Sequence, residues 1–122
     1  MTAGRTWIAA AELEDLRQGV AKLVVIGGIE LGLFRESERV YAVRNLCPHA
    51  LAPICAGKVE GVLVADADGA YDYQAERRVL RCPWHHWEFE LDGGRAVCNI
   101  RQRIQTFETK IADGKVWVWI KP

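Results

Sequence analysis

Cysteine and histidine occur together in two short stretches of the chain, and these stretches contain all three of its histidines. The first stretch, CPHALAPICAG, begins with Cys47 and contains His49. The second, CPWHHW, contains Cys82, His85 and His86. Thiolate and imidazole groups bind zinc ions and iron–sulfur clusters. We therefore interpret the two stretches, called box one and box two below, as the two halves of a metal centre.

Each box supplies one thiolate and one imidazole, spaced Cys-x-His in box one and Cys-x-x-His in box two. Pro48 and Pro83 follow the two cysteines and stiffen both loops, because the proline ring restricts φ. Structural zinc sites are usually built from pairs of like ligands, whereas a [2Fe–2S] cluster can take two thiolates on one iron and two imidazoles on the other. The mixed pairs favour the cluster, with a structural zinc module as the alternative.

The segments around the boxes alternate in the way that β-strands do. In RVYAVRN, which leads into box one, Val40 and Ala42 lie on one face and Tyr41 and Val43 on the other. Glycine turns between such segments predict hairpins. They occur at residues 27–28, 92–94 and 113–114. After the last turn, KVWVWI has apolar residues on both faces, which predicts a strand covered on both sides.

One segment, AAELEDLRQG, has the pattern of a helix, with Leu13 and Leu16 three residues apart and Gly19 as a C-terminal stop. The rest of the chain predicts an all-β fold, a small antiparallel β-sandwich or partly open barrel. Both boxes follow strands and are therefore expected to be loops. The length predicts one domain over residues 1–122.

Composition excludes several classes of partner. Lys plus Arg and Asp plus Glu both number 16, so no basic field attracts nucleic acid. No apolar run reaches the roughly 20 residues that span a membrane, and the N-terminal residues do not resemble a signal peptide. We expect a cytoplasmic protein, in which the four cysteines are metal ligands or buried thiols rather than a disulfide framework.

Both boxes and their flanking strands resemble the Rieske [2Fe–2S] family, specifically soluble Rieske-type ferredoxins and the Rieske domains of ring-hydroxylating oxygenases. The similarity runs through VYAVRNLCPH, CPWHHWEFELDGGR and the N-terminal hairpin. It implies a Rieske-type fold with a cluster-binding subdomain formed by two loops, and one [2Fe–2S] cluster per chain. By the same resemblance, Cys47 and Cys82 bind the inner iron, and His49 and His85 bind the outer iron.

The sequence also departs from the family pattern. His86 stands where the family usually has glycine, and the segment after box two lacks the usual proline. The gap between the boxes is lengthened within residues 61–78, which we interpret as a solvated loop, a partner-docking element or an extended hairpin. Cys55 and Cys98 are expected to be buried structural thiols.

High-potential members of the family carry an extra, disulfide-bonded cysteine in each box and hydroxyl donors to the cluster. Here Ala52 and Trp84 stand at the disulfide positions, and Trp87 lies near the serine position. Fewer hydrogen bonds to sulfur stabilise the reduced cluster less. The resemblance therefore implies a midpoint potential toward the low end of the range of roughly −150 to +300 mV.

The function follows from the groups that the sequence lacks. No histidine is left for a mononuclear iron site, and no glycine-rich nucleotide fingerprint occurs. We predict a one-electron carrier without catalytic residues of its own, which passes electrons from a reductase to an oxygenase. The alternative is a small Rieske subunit or regulatory module that works with a large subunit, as in nitrite reductases.

Overall fold

The computed structural model describes residues 4–46, 53–65, 69–83, 87–97 and 102–122. Several residues singled out in the sequence lie outside these ranges: Cys47, His49, Ala52, Trp84, His85, His86 and Cys98. The described strands are numbered in chain order: β1 Thr6–Glu12, β2 Lys22–Ile26, β3 Ile29–Glu36, β4 Arg39–Arg44, β5 Lys58–Ala65, β6 Tyr71–Arg81, β7 Glu88–Glu90, β8 Thr106–Phe107, β9 Thr109–Ala112 and β10 Lys115–Ile120. Two 3₁₀ turns accompany them, Leu13–Asp15 and Ile54–Ala56.

The strands form three antiparallel sheets, which confirms the all-β prediction. The base sheet has the order β1-β10-β9, the middle sheet β2-β3-β4-β8 and the box sheet β5-β6-β7. The predicted hairpin turns are also confirmed. Gly27, Gly28, Gly93, Gly94 and Gly114 all adopt the positive φ that glycine reaches without steric cost.

Buried side chains form two hydrophobic cores, one on each face of the middle sheet. The distal core, against the base sheet, contains Leu16, Leu31, Leu33, Val40, Ala42, Val116, Val118 and Ile120. The loop-side core, against the box sheet, contains Phe34, Val43, Ile54, Cys55, Leu80, Cys82, Phe89, Leu91, Ala96 and Ile104. Because side chains alternate along a strand, β3 and β4 contribute to both cores. The alternation predicted for β4 is confirmed, with Val40 in the distal core and Val43 in the loop-side core.

The helical pattern at AAELEDLRQG forms a single helical turn rather than a longer helix. β1 continues to Glu12, which pairs with Lys115 of β10, and only the 3₁₀ turn Leu13–Asp15 follows. Helix propensity is a weak preference, and tertiary pairing along β10 overrides it here. Leu16 is buried in the distal core, so the leucine spacing reflects the packing of a turn. Within the described residues, no helix combines the length and the apolar character needed to cross a membrane.

The tryptophan face of β10 is less covered than the sequence predicts. The other face of the strand is buried in the distal core, whereas Trp117 and Trp119 are half-buried. Trp119 packs against Trp7 with ring centroids 5.3 Å apart, and Lys110 Nζ lies 4.6 Å from the centroid of the Trp7 ring. Aromatic rings and a lysine stem thus cover this face in place of a further sheet.

The insertion between the boxes folds as a hairpin, which supports the hairpin interpretation of residues 61–78 over a solvated loop. β5 and β6 pair with a register shift between Glu60 and Val62. The tip, residues 66–68, lies outside the described residues. The insertion therefore lengthens two strands of the box sheet.

A largely buried ion pair joins the middle sheet to the box sheet. Arg78 Nε of β6 donates to Glu36 Oε1 of β3 at 2.6 Å, and Glu36 is only 6% exposed. Glu36 Oε2 also accepts a hydrogen bond of 3.0 Å from the backbone N–H of Gly19. The carboxylate therefore links β3, β6 and the segment between β1 and β2.

Candidate metal centre

Box one begins where β4 ends, and the chain turns sharply there. The N–H of Leu46 donates to the carbonyl oxygen of Arg44 at 2.8 Å, so Asn45 is the central residue of a three-residue turn. At its far end, box one forms the 3₁₀ turn Ile54–Ala56 and enters β5 through Gly57. The described ends of box one thus connect the middle sheet to the box sheet.

Box two begins where β6 ends and closes on itself. The N–H of Cys82 donates to the carbonyl oxygen of Trp87 at 2.7 Å, which brings the two ends of the box together. Cys82 is 0% exposed and belongs to the loop-side core, whereas Pro83 is exposed. The ring of Trp87 lies beside Phe89, with centroids 6.4 Å apart. Both described ends of box two therefore rest on the loop-side core.

The two boxes meet at a glycine. Lys58 pairs with Arg81, so the end of box one runs beside the start of box two. A Cβ atom on Gly57 would overlap the carbonyl oxygen of Arg81, and the two main chains approach this closely because glycine has no side chain. Cys55 and Cys82 belong to the same loop-side core. The fold thus brings the described parts of both boxes close together beside the loop-side core.

Arg81, which precedes Cys82, lies between two carboxylates. Its Nη2 atom is 2.6 Å from Glu60 Oε1 and 3.5 Å from Glu88 Oε2. All three side chains are partly exposed, so these pairs contribute little to the free energy of folding. Their effect here is local: they balance the arginine charge beside the buried cysteine.

Cys55 is a free, buried thiol, as the sequence predicts. Burial, and secondarily the negative charge of Glu30, raise the pKa of Cys55 to about 12. The thiol is therefore protonated at neutral pH, whereas metal ligation requires the thiolate. Its Sγ packs against Gly32 of β3, where a Cβ would overlap it. This cysteine supports the fold next to the boxes. The prediction for Cys98 concerns a residue outside the described ones.

Of the four predicted ligands, the structure describes Cys82, and the other three lie outside the described residues: Cys47, His49 and His85. Within the described ranges, no three His, Cys, Asp or Glu side chains are grouped so that they could hold a metal ion. The described part nevertheless fits a [2Fe–2S] cluster. Cys82 supplies a buried thiol at the start of box two, and cysteine thiolates are the ligands that such clusters use.

Asn45 is a residue at this site that the sequence analysis missed. Its Oδ1 accepts a hydrogen bond of 2.8 Å from the N–H of Cys55, and its Nδ2 donates to Glu30 Oε1 at 2.6 Å. The available signal was an asparagine between a strand and a box, because asparagine favours turns. Its partners lie on β3 and at the far end of box one, so they become visible only in the fold.

Comparison with known proteins gives one family and close relatives within it. The Rieske [2Fe-2S] domain matches residues 6–108 of the chain. The ferredoxin component of the naphthalene 1,2-dioxygenase system of Pseudomonas putida is 31% identical over 113 residues, which are 92% of this chain and 93% of that protein.

Solved structures share the fold over nearly their whole length. The ferredoxin of carbazole 1,9a-dioxygenase from Nocardioides aromaticivorans IC177 has a TM-score of 0.70 at 24% identity, covering 93% of this chain and 96% of that one. A Mycobacterium tuberculosis protein described as an NADH-dependent nitrite reductase small subunit has a TM-score of 0.75 at 23% identity, covering 95% of this chain and 96% of that one. The same fold therefore occurs in carriers and in enzyme subunits.

Proposed function

The chain belongs to the Rieske [2Fe–2S] family, and on this premise we propose that it is a one-electron carrier between a reductase and an oxygenase. The observation that carries this function is the 31% identity to a dioxygenase ferredoxin component over nearly the full length of both chains. The alternative, a nitrite reductase small subunit, is supported by similarity of fold at 23% identity. A fold hosts many functions, so the sequence identity favours the carrier.

Four residues would hold the cluster. The thiolates of Cys47 and Cys82 would bind one iron, and the imidazoles of His49 and His85 would bind the other. When bound, the cluster supplies reversible uptake of one electron. The burial of Cys82 and the close approach of the boxes at Gly57 support this assignment.

The chain's own groups organise the described part of the site. The bond between the N–H of Cys82 and the carbonyl oxygen of Trp87 joins both ends of box two, and these ends pack on the loop-side core. A site that is already organised rearranges little when charge arrives. With Ala52 and Trp84 at the disulfide positions, we propose a midpoint potential in the lower part of the Rieske range.

We further propose that residues 1–122 form one domain that acts in the cytoplasm. The single-domain proposal is supported by β3 and β4, which contribute side chains to both cores. The cytoplasmic proposal is supported by the chemistry of the site, since a reducing compartment keeps cysteines from forming disulfides.

Metal analysis and ligand substitution test the cluster. The purified protein should contain about two irons and two acid-labile sulfides per chain. Cys47→Ser, His49→Ala, Cys82→Ser and His85→Ala should each prevent cluster assembly. His86→Gly is the matched control and should assemble normally. Stoichiometric zinc without sulfide would refute the cluster, and a cluster retained in His85→Ala but lost in His86→Gly would refute the second imidazole.

The carrier function is tested on the intact protein from its native cell. If the protein is a carrier, it should purify without a stoichiometric large subunit. It should also take up one electron reversibly, which a redox titration with optical detection measures. A stable complex with a large catalytic subunit through size-exclusion chromatography would instead support the small-subunit alternative.

A further inference from the structure

The side chain of Asn45 joins the two ends of box one and ties them to β3. Its Oδ1 accepts the N–H of Cys55, and its Nδ2 donates to the carboxylate of Glu30. The main-chain N–H of Asn45 donates to the carbonyl oxygen of Glu30 at 2.9 Å. Asn45 lies two residues before box one and Cys55 lies near its far end, so the amide joins the described parts of the chain on either side of the loop.

The two partners of this side chain need opposite hydrogen-bonding roles. A backbone N–H can only donate, and a carboxylate can only accept. Residue 45 must therefore present an acceptor and a donor from one short side chain. An asparagine amide provides both, whereas an aspartate provides no donor and an alanine provides neither.

Cys55 is a firm anchor for the far side of the loop. It is 6% exposed, its Sγ packs against Gly32 of β3, and it shares the loop-side core with Cys82. The bond from Asn45 therefore fastens the start of box one to a packed part of the core. Glu30 is exposed, so its bond to Asn45 serves mainly to orient the amide.

We propose that Asn45 is a positioning residue, which ties together the described ends of box one and thereby supports cluster binding by Cys47 and His49. The inference rests on the ligand assignment proposed above for box one. The hydrogen-bonded set of Glu30, Asn45 and Cys55, called the clasp, holds these ends to each other. Without the clasp, local opening becomes more frequent, and each opening exposes the cluster to water and chelators.

The test measures two properties of the holoprotein: the visible circular dichroism spectrum of its cluster and the rate at which excess EDTA removes its iron. Asn45→Ala removes both side-chain bonds, and we expect iron loss to become about tenfold faster with an altered spectrum. Glu30→Gln is the control. It keeps an acceptor for the Asn45 amide and should leave both readouts unchanged.

A pair of variants that exchanges the acidic and amide side chains of residues 30 and 45 distinguishes a positioning role of Asn45 from a general loss of stability. Asn45→Asp keeps the acceptor for Cys55 but sets two carboxylates against each other, so iron loss should be about threefold faster. Combining Asn45→Asp with Glu30→Gln restores a donor and an acceptor at the same net charge as the wild type. This pair should recover the original spectrum and the rate to within about twofold.

Identical spectra and iron-loss rates for Asn45→Ala and the wild type would overturn the proposal. Failure of Glu30→Gln to rescue Asn45→Asp would also overturn it, and this comparison decides the matter if Asn45→Ala does not fold. Absence of iron and sulfide from the wild-type protein would refute the ligand assignment instead, and metal analysis detects that before any clasp variant is made.

Discussion

Gly32 and Gly57 are required by their neighbours rather than by unusual backbone angles. Neither lies in the left-handed region. A Cβ on Gly32 would nevertheless overlap Cys55 Sγ, and one on Gly57 would overlap the carbonyl oxygen of Arg81. A thiol can be shortened by substitution, whereas a carbonyl oxygen belongs to the main chain. The strain of a larger residue can therefore be relieved in part at position 32 but not at position 57.

This difference gives a prediction for the two glycines. Gly57→Ala should lower the free energy of unfolding by about 3 kcal/mol, and Gly32→Ala by about 2 kcal/mol, because overpacking forces the backbone to shift. Adding Cys55→Ala to Gly32→Ala should recover part of the loss. Urea unfolding of the holoproteins measures all three. A Gly57→Ala protein as stable as the wild type would show that the boxes are not in contact there.

The thiol of Cys55 predicts a loss of stability in alkaline solution. Burial raises its pKa from about 9 to about 12 in the folded chain. Its stabilising contribution is complete below about pH 9 and falls as pH rises toward 12, because the unfolded chain then loses the proton first. The slope is about 1.4 kcal/mol per pH unit. Cys55→Ala should lack this slope, so urea unfolding of both proteins between pH 8 and 11 should give converging stabilities. A constant difference would contradict the burial of the thiol.

β3 and β6 belong to different sheets, and the Glu36–Arg78 ion pair joins them. The side chains of this pair are 5% and 29% exposed. Arg39 and Asp92 form a second Arg–carboxylate pair, separated by 3.9 Å with side chains 67% and 76% exposed. Both are arginine–carboxylate pairs, but the first is largely buried and the second is exposed to water. The Arg39–Asp92 pair is therefore a matched control for the Glu36–Arg78 pair.

Removing one charge from each pair should have very different effects. Glu36→Gln should lower the free energy of unfolding by about 2–3 kcal/mol, because it removes the negative charge that faces the Arg78 guanidinium in a largely buried environment. Asp92→Asn should change it by less than about 0.5 kcal/mol, because water screens an exposed pair. Thermal unfolding of both variants measures the difference. Equal effects would show that burial does not strengthen the Glu36–Arg78 pair.

The strands could be predicted because their signals are local. Alternation identified the faces of β4, and the turn residues Gly27-Gly28 and Asp113-Gly114 identified two hairpins. The segment AAELEDLRQG could be assigned only in part because its conformation depends on β10, at the other end of the chain. Its leucine spacing fits both a helix and a strand followed by a turn, and the pairing of β1 with β10 up to Glu12 distinguishes them.

The described residues form two cores that differ in their relation to the cluster. The loop-side core includes Cys82, and its residues lie next to the described parts of both boxes. The distal core is closed by the base sheet, and Cys82, the one predicted ligand among the described residues, does not belong to it. The two halves should therefore respond differently when the cluster is removed, even though the middle sheet belongs to both.

Removal of the cluster should loosen the box sheet before the base sheet. In chelator-treated, reduced protein, backbone amides of β5, β6 and β7 should exchange hydrogen at least about tenfold faster than in the holoprotein. Amides of β1 and β10 should remain protected. Hydrogen exchange followed by mass spectrometry resolves these segments. A uniform loss of protection would show that the two cores unfold as one unit.

The ligand set could be proposed from sequence because cysteine and histidine lie a few residues apart in each box. The supports of the site could not, because each joins segments that are distant along the chain. Asn45 bonds to Glu30 and Cys55, and Gly57 meets Arg81 across two strands. The contact at Gly57 depends on the register of β5 and β6, and the bonds of Asn45 depend on how box one packs beside β3, so both are set by the complete fold.

The middle sheet, with a core on each face, has little freedom to evolve. Leu31 and Phe34 of β3 are both 0% exposed and serve opposite cores. A substitution that one core tolerates must also preserve the strand that supports the other core. Both cores therefore limit which substitutions β3 and β4 can accept. On β2, at the edge of the same sheet, Leu23 and Val25 are 53% and 67% exposed. Divergence among descendants of this chain should therefore accumulate in β2, while β3 and β4 keep the ancestral residues.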